Sequence, residues 1–227
     1  MPYSLDDRLI FPHPSRADED GLLAIGGDLS VERLLLAYQH GIFPWFSDET
    51  PILWYSPHER FVLVPRELRI KKSMRQFMRN TNFKTTHNNA FADVVRRCAT
   101  VKRKEQQGTW ITDEMQDAYI RLHDLGYAHS VETYNEEGVL VGGLYGIQIG
   151  KVFCGESMFS EATNASKSAL VHLCQHFNFE LIDCQIYSEH LASFGAKFMS
   201  RTVYYELLQK QNTEPFAIET QSSRHQP

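Results

Sequence analysis

The chain has 227 residues, of which 42% are apolar, 22% charged and 12% aromatic, with a formal net charge of −5. That length and composition suit one large domain, or one domain with a smaller partner, and exclude disordered, collagen-like and disulfide-stapled classes. No apolar run approaches the roughly 18 residues that cross a bilayer, and the start, Met1 to Asp7, has neither the basic nor the apolar region of a secretory signal. The reading is therefore a cytoplasmic protein without membrane contact. Its four separated cysteines (Cys98, Cys154, Cys174, Cys184) fit a reduced compartment.

In chain order, residues 1–60 form a region rich in Pro, Gly and aromatics, with one helix predicted over about 31–40. Ser30 serves as its N-cap, Gly41 as its stop, and Val31, Leu34, Leu35 and Tyr38 keep the helical period. One short helix cannot build a core, so this region should pack on the remainder. Phe61–Val64 reads as a strand, followed by helices near 71–79, 89–99 and 112–125, the last capped by Thr112. His129–Tyr134 and Val139–Ile149, joined by the turn Asn135–Gly138, read as a hairpin. A strand at 151–159, a helix at 165–177, a strand at 181–187 and a helix near 202–210 follow. The last residues, 212–227, are a polar tail. Helices packed on a mainly antiparallel sheet give an α+β class.

Charge is segregated. Residues 60–104 hold 13 Lys/Arg against 2 Asp/Glu, so a basic module sits inside an acidic protein. Such a stretch can track phosphates by releasing their counterions, or it can be a helix pair with a solvated face. Metal and nucleotide chemistry lack support. The ten histidines show no HExxH or Cys/His ligand spacing. Gly146–Val152 has three residues between its glycines, and Val after the Lys, where a Walker A loop needs four and Ser or Thr; a hairpin turn suits it better.

Three clusters carry candidate chemistry. In Leu181–Gln185, the period of two puts Asp183 and Gln185 on one strand face. Either both meet solvent at a strand end, or Asp183 orients the Gln185 amide toward a reacting group. Glu156, in the apolar run Phe153–Ser160, needs a cationic partner, from an internal ion pair or a substrate ammonium. Strict alternation separates Phe153 from Glu156 unless Gly155 introduces a bulge. Trp45, Trp54 and Trp110 lie in Gly/Pro-rich loops, as packing plugs or as platforms for an unpaired base.

These strings together resemble the leucyl/phenylalanyl-tRNA–protein transferase family. The runs are Gly21–Leu29, Gly41–Phe46, Gly108–Thr112, Leu140–Gly146, Phe153–Ser160, Asn164–Lys167 and Leu181–Gln185, in the family's order from about residue 11 to 205. The resemblance implies a small N-terminal domain (1–60) followed by a domain similar to the GCN5-related N-acetyltransferases (GNAT-like, 61–211). It implies transfer of Leu or Phe, less often Met, from aminoacyl-tRNA to the N-terminal α-amine of proteins that begin with Arg or Lys, which marks them for degradation. It further implies Asp183 and Gln185 as catalytic, and Trp45, Trp110, Glu156 and Ser157 at the aminoacyl-tRNA end. Leu144, Phe153, Leu170, Phe177 and Ile182 would form the side-chain pocket, and Arg69, Lys71, Lys72, Arg75, Arg79 and Lys84 would contact the tRNA backbone. An aminoacyl ester arrives activated, so no cofactor or metal is expected, and nothing demands more than a monomer. The alternatives are an acyl-CoA-dependent N-acyltransferase, for which no Gln/Arg-x-x-Gly-x-Gly/Ala loop is present, and a non-catalytic RNA-binding protein, which leaves Asp183, Gln185 and Glu156 without a purpose.

Overall fold

The computed structural model describes residues 2–101 and 111–211. The chain opens with β1 (Tyr3–Leu5), β2 (Leu22–Gly26), α1 (Val31–Gln39), β3 (Phe43–Pro44) and β4 (Leu53–Tyr55). Ser30 Oγ accepts the Arg33 amide and so caps α1, as its sequence predicts. Among the described residues these strands form a four-stranded sheet in the order β1-β2-β4-β3, which the sequence reading did not contain. Next come β5 (Glu59–Leu63), α2 (Lys72–Asn80), β6 (Lys84–His87), α3 (Phe91–Thr100) and α4 (Asp113–Asp124). The chain continues with β7 (Ala128–Tyr134), β8 (Leu140–Ile149), β9 (Val152–Ser160), α5 (Ala165–His176), β10 (Leu181–Asp183), α6 (Glu189–Ala192), β11 (Lys197–Ser200) and α7 (Arg201–Gln211).

The larger sheet has seven strands among the described residues, ordered β11-β5-β10-β9-β8-β7-β6. Only the β9–β10 pair is parallel, because α5 carries the chain over the sheet between them. The predicted hairpin is present as β7–β8, and the Walker-like string is the Gly150–Lys151 turn between β8 and β9. No helix among the described residues is long and apolar enough to cross a membrane.

The sheet has two distinct faces. Ile182 pairs with Leu63 and with Phe153, and all three enter a cluster with Leu144, Leu170 and Leu173 on the α5 side. The alternate residues, Val62, Asp183 and Cys154, point to the other side. There a second cluster holds Val62 and Cys154 with Leu34, Tyr38 and Phe43 of the N-terminal region and Tyr204 of α7. The first 60 residues thus pack on the larger sheet.

Two glycines of β8 permit this packing. A Cβ on Gly142 would lie 2.5 Å from the Cβ of Ala165, so the bare backbone lets α5 begin against the strand. A Cβ on Gly146 would lie 2.2 Å from the carbonyl oxygen of Cys154 and 2.7 Å from the Phe153 ring.

Candidate active site

Buried polar atoms converge between the middle of β9 and the end of β10. The pairing of β8 with β9 slips by one residue, since Tyr145 faces Ser157 while Gly146 faces Gly155. Glu156 is the extra residue of that bulge. Phe153 and Glu156, which strict alternation would keep apart, both line one cavity of about 350 Å³. That volume lies at the lower end of small-ligand sites.

The cavity is apolar along one wall and polar at its end. Leu144, Phe153, Leu170 and Ile182 line it, joined by Met158 and Leu173, which the sequence reading did not select. Phe177 does not line it. That ring stacks on Phe179, which in turn packs on Phe153, so Phe177 supports the wall from behind. Ser157 and Trp45 also line the space. Trp45 is 37% exposed, with its ring against Tyr55. Trp54 is fully buried and donates its Nε1–H to the Gly26 carbonyl at 2.8 Å, so it is a packing plug. Trp110 lies outside the described residues, as do residues 212–227.

Asp183 and Gln185 do not share a strand face. The strand stops at Asp183, and Gln185 takes a positive φ of 62°. The Ile186 amide donates to the Cys184 carbonyl at 2.7 Å, closing a γ-turn around Gln185. Left-handed backbone at a residue other than Gly is strained, and two neighbours hold it. Asp183 Oδ1 accepts the Gln185 amide at 2.8 Å, and the Gln185 carbonyl accepts from the Phe61 amide at 3.2 Å. Asp183 therefore fixes the Gln185 main chain and does not touch its side-chain amide, contrary to the sequence-based expectation.

Glu156 binds that side chain instead. Gln185 Nε2 donates to Glu156 Oε1, and the Tyr119 hydroxyl donates to Oε2, each at 2.8 Å. Tyr38 and Tyr119 hydroxyls meet at 2.8 Å and extend the chain of donors. Of the two cationic partners expected for Glu156, an internal ion pair is not formed among the described residues, and its hydrogen-bond donors, Tyr119 and Gln185, are neutral. Burial accordingly pushes its carboxyl up to about 7, against the lowering effect of the tyrosine hydroxyls. With Nε2 committed, the Gln185 side-chain carbonyl oxygen is its remaining acceptor.

Asp183 lives in the opposite environment. The guanidinium of Arg60 grips both its oxygens, Nε to Oδ1 at 3.2 Å and Nη2 to Oδ2 in close contact, and Tyr204 donates to Oδ2 at 2.7 Å. Arg60 also donates to the Gly41 carbonyl at 2.9 Å and lies between the rings of Phe43 and Tyr204, 4.7 and 4.8 Å from their centroids. One arginine thereby ties the N-terminal region to the strand that carries Asp183. Arg60, although it opens the basic stretch, does not belong to its surface, because it is fully buried. Arg96 and Arg97 of that stretch pair with Asp93 and Glu161. By contrast Arg69, Lys71, Lys72, Arg75, Arg79 and Lys84 are all exposed.

Tyr38, Tyr119, Arg60, Tyr204 and His190 escaped the sequence reading. The need of a buried carboxylate for a partner was legible, but its identity depends on contacts between residues 21 to 123 positions apart. His190 of α6 lines the cavity, and its buried Nε2 meets no hydrogen-bond partner. Burial lowers its pKa, so it offers a neutral imidazole.

Two family models match. That described as leucyl/phenylalanyl-tRNA protein transferase covers residues 62–209, and that of the N-terminal domain of the same transferase covers 27–58. The chain is similar to proteins named leucyl/phenylalanyl-tRNA–protein transferase from several bacteria. It is 56% identical to one from Syntrophobacter fumaroxidans, over 91% of this chain and 89% of that one. It is 53% identical to one from Yersinia enterocolitica, over 92% and 89%, and 51% identical to one from Flavobacterium johnsoniae, over 91% and 98%.

Proposed function

Because the chain belongs to the leucyl/phenylalanyl-tRNA–protein transferase family, we propose that it moves Leu or Phe, and Met less readily, from aminoacyl-tRNA to the N-terminal α-amine of proteins beginning with Arg or Lys. The product carries a new peptide bond and a degradation signal. The enzyme is an aminoacyltransferase. We read its larger sheet as GNAT-like with residues 1–60 as a small N-terminal domain, a reading supported by the lone parallel pair β9–β10 in an otherwise antiparallel sheet.

The observation that carries the proposal is one cavity with an apolar wall and a polar end. Leu144, Phe153, Leu170 and Ile182 suit the side chain of Leu or Phe. Such a wall separates apolar side chains by only about 1–3 kcal/mol per methylene, hence a relaxed choice, and it rejects charged side chains because their burial is uncompensated. Trp45 offers a stacking face for the terminal adenosine, with Ser157 beside it. The exposed cations from Arg69 to Lys84 suit the acceptor-stem phosphates.

At the polar end the acceptor amine attacks the ester carbonyl carbon. The new C–N bond forms as the bond to the ribose oxygen breaks, and the proton lost by the amine ends on that oxygen or in water. An α-amine has a pKa of about 7.7–8.0, so a useful fraction is neutral without a strong base. The Gln185 side-chain carbonyl accepts a hydrogen bond from the amine and orients its lone pair. Glu156 holds the Gln185 amide and opposes the positive charge that develops on nitrogen. Asp183 acts at one remove, as the anchor of the Gln185 turn.

The test combines purified protein, Phe-charged tRNA and an Arg-initiated peptide, with a Gly-initiated peptide as control and no ATP. The Arg peptide should gain the mass of one Phe. Absence of that gain, or its dependence on a nucleotide, a divalent ion or a thioester, overturns the proposal.

A further inference from the structure

We propose that an exposed aromatic ledge formed by Tyr187 and Phe198, beside the cavity, receives the cationic first side chain of the acceptor polypeptide; this rests on the transfer reaction proposed above. Tyr187 is 55% and Phe198 53% exposed. Their rings lie nearly parallel, 18° apart, with centroids at 6.0 Å. Both rest on the buried ring of Phe61, at 5.2 and 5.1 Å. Two large, half-exposed rings side by side form an apolar surface open to a ligand.

The ledge is continuous with the site. Phe61 pairs with Phe198 across β5 and β11. Leu63, two residues along β5 and hence on the same face, pairs with Ile182 of the cavity wall. Tyr187 itself lines the cavity, two residues after Gln185. An acceptor whose α-amine meets the Gln185 side-chain carbonyl therefore has the ledge within reach of its first side chain.

Charge selects a cation. Glu59 shares the Phe61 face of β5, and Glu189 stands two residues beyond Tyr187 in the first turn of α6. Both are exposed, and neither joins an ion pair among the described residues. The nearby Lys197 is already paired with Glu67. An aromatic face flanked by carboxylates attracts a guanidinium or ammonium and repels a phosphate, which favours the acceptor over a second stretch of tRNA.

The experiment measures acceptor KM and charged-tRNA Kd with two peptides that differ only at the first residue, Arg or its neutral isostere citrulline. The wild type should prefer Arg. Tyr187→Leu and Phe198→Leu should each raise the Arg-peptide KM about two- to fivefold, with little change for citrulline, and Tyr187→Phe should restore it, since the ring and not the hydroxyl is needed. Glu59→Gln with Glu189→Gln should narrow the preference for Arg. An Arg-peptide KM unmoved by both Leu variants overturns the proposal, as does an effect confined to Phe-tRNA binding, which would assign the ledge to nucleic acid. A wild-type enzyme inert toward the Arg peptide would instead remove the transfer reaction itself, a failure visible before any variant is made.

Discussion

The substitution Glu156→Gln separates what this carboxylate does for folding from what it does for transfer. Burial raises its pKa from 4.5 to about 7. The folded state thus holds this proton more tightly than the unfolded chain. Its contribution to stability is complete below about pH 4.5 and is lost as pH rises through about 7. The shift corresponds to about 3 kcal/mol. The substituted amide cannot ionise, so the stability of the variant minus that of the wild type should grow by about that amount between pH 4.5 and pH 8. Activity should move the other way. A carboxylate accepts on both oxygens, from Tyr119 on Oε2 and from Gln185 on Oε1; an amide accepts on one. If that oxygen serves Tyr119, the amino group of the introduced amide faces the amino group of Gln185, and Gln185 must turn its amide over. The acceptor aimed at the incoming amine is then replaced by a donor, and kcat should fall about a hundredfold. For the same reason wild-type kcat should show a rise with pH through about 7 that the variant lacks, both enzymes keeping the rise at about 8 that the acceptor amine itself imposes. Urea unfolding at pH 4.5 and 8, with kcat at saturating Phe-tRNA and acceptor, tests both halves. A stability difference that is flat with pH, or a variant kcat within threefold of wild type, refutes the reasoning.

Asp183→Ala should destabilise the fold by about 3–5 kcal/mol, because it strands the buried Arg60 guanidinium; denaturant unfolding reads this, and a loss below about 1 kcal/mol would contradict it. Gly146→Ala should cost about 1–3 kcal/mol by overpacking and raise the KM for Leu- and Phe-tRNA, since the added methyl meets the Cys154 carbonyl and the Phe153 ring. Removing the exposed charges of Lys72, Arg79 and Lys84 together should weaken tRNA binding and reduce the slope of log K against log salt by about 3, with acceptor KM unchanged; a slope equal to the wild type's would place the tRNA elsewhere.

Local rules made much of this chain legible. Ser30 and Thr112 cap the helices their positions announce, and the segments 129–134 and 139–149 close as the expected hairpin around the turn at 135–138. The four-stranded sheet was not legible, because β1, β3 and β4 span three residues or fewer and lack a readable period. The site was half legible. Glu156 and Gln185 were recognisable as polar residues in apolar surroundings, which a fold tolerates only with partners. Their mutual hydrogen bond was not, since it requires the slip at Glu156 and the positive φ at Gln185, two local exceptions to strand regularity. Assuming regular alternation led to the pairing of Gln185 with Asp183 through its side chain, where the structure pairs it with Glu156.

The two carboxylates illustrate why residue type alone does not assign roles. Asp183 is surrounded by a guanidinium and a tyrosine hydroxyl, and its charge is compensated whether or not substrate is present. Glu156 has only neutral donors among the described residues, so its ionisation is costly in the empty site and becomes favourable when positive charge develops nearby. Groups whose environments differ in this way divide the labour of a site. The permanently paired carboxylate holds geometry, and the uncompensated one responds to the reaction. On that division, a cation in the cavity should lower the Glu156 pKa. An unreactive ether analogue of the acceptor-bound donor, bearing an ammonium, should therefore bind more tightly as pH rises through about 7 and take up this dependence from Glu156 alone. If Glu156→Gln leaves the pH dependence of its Kd intact, the charge that answers the reaction lies on another group.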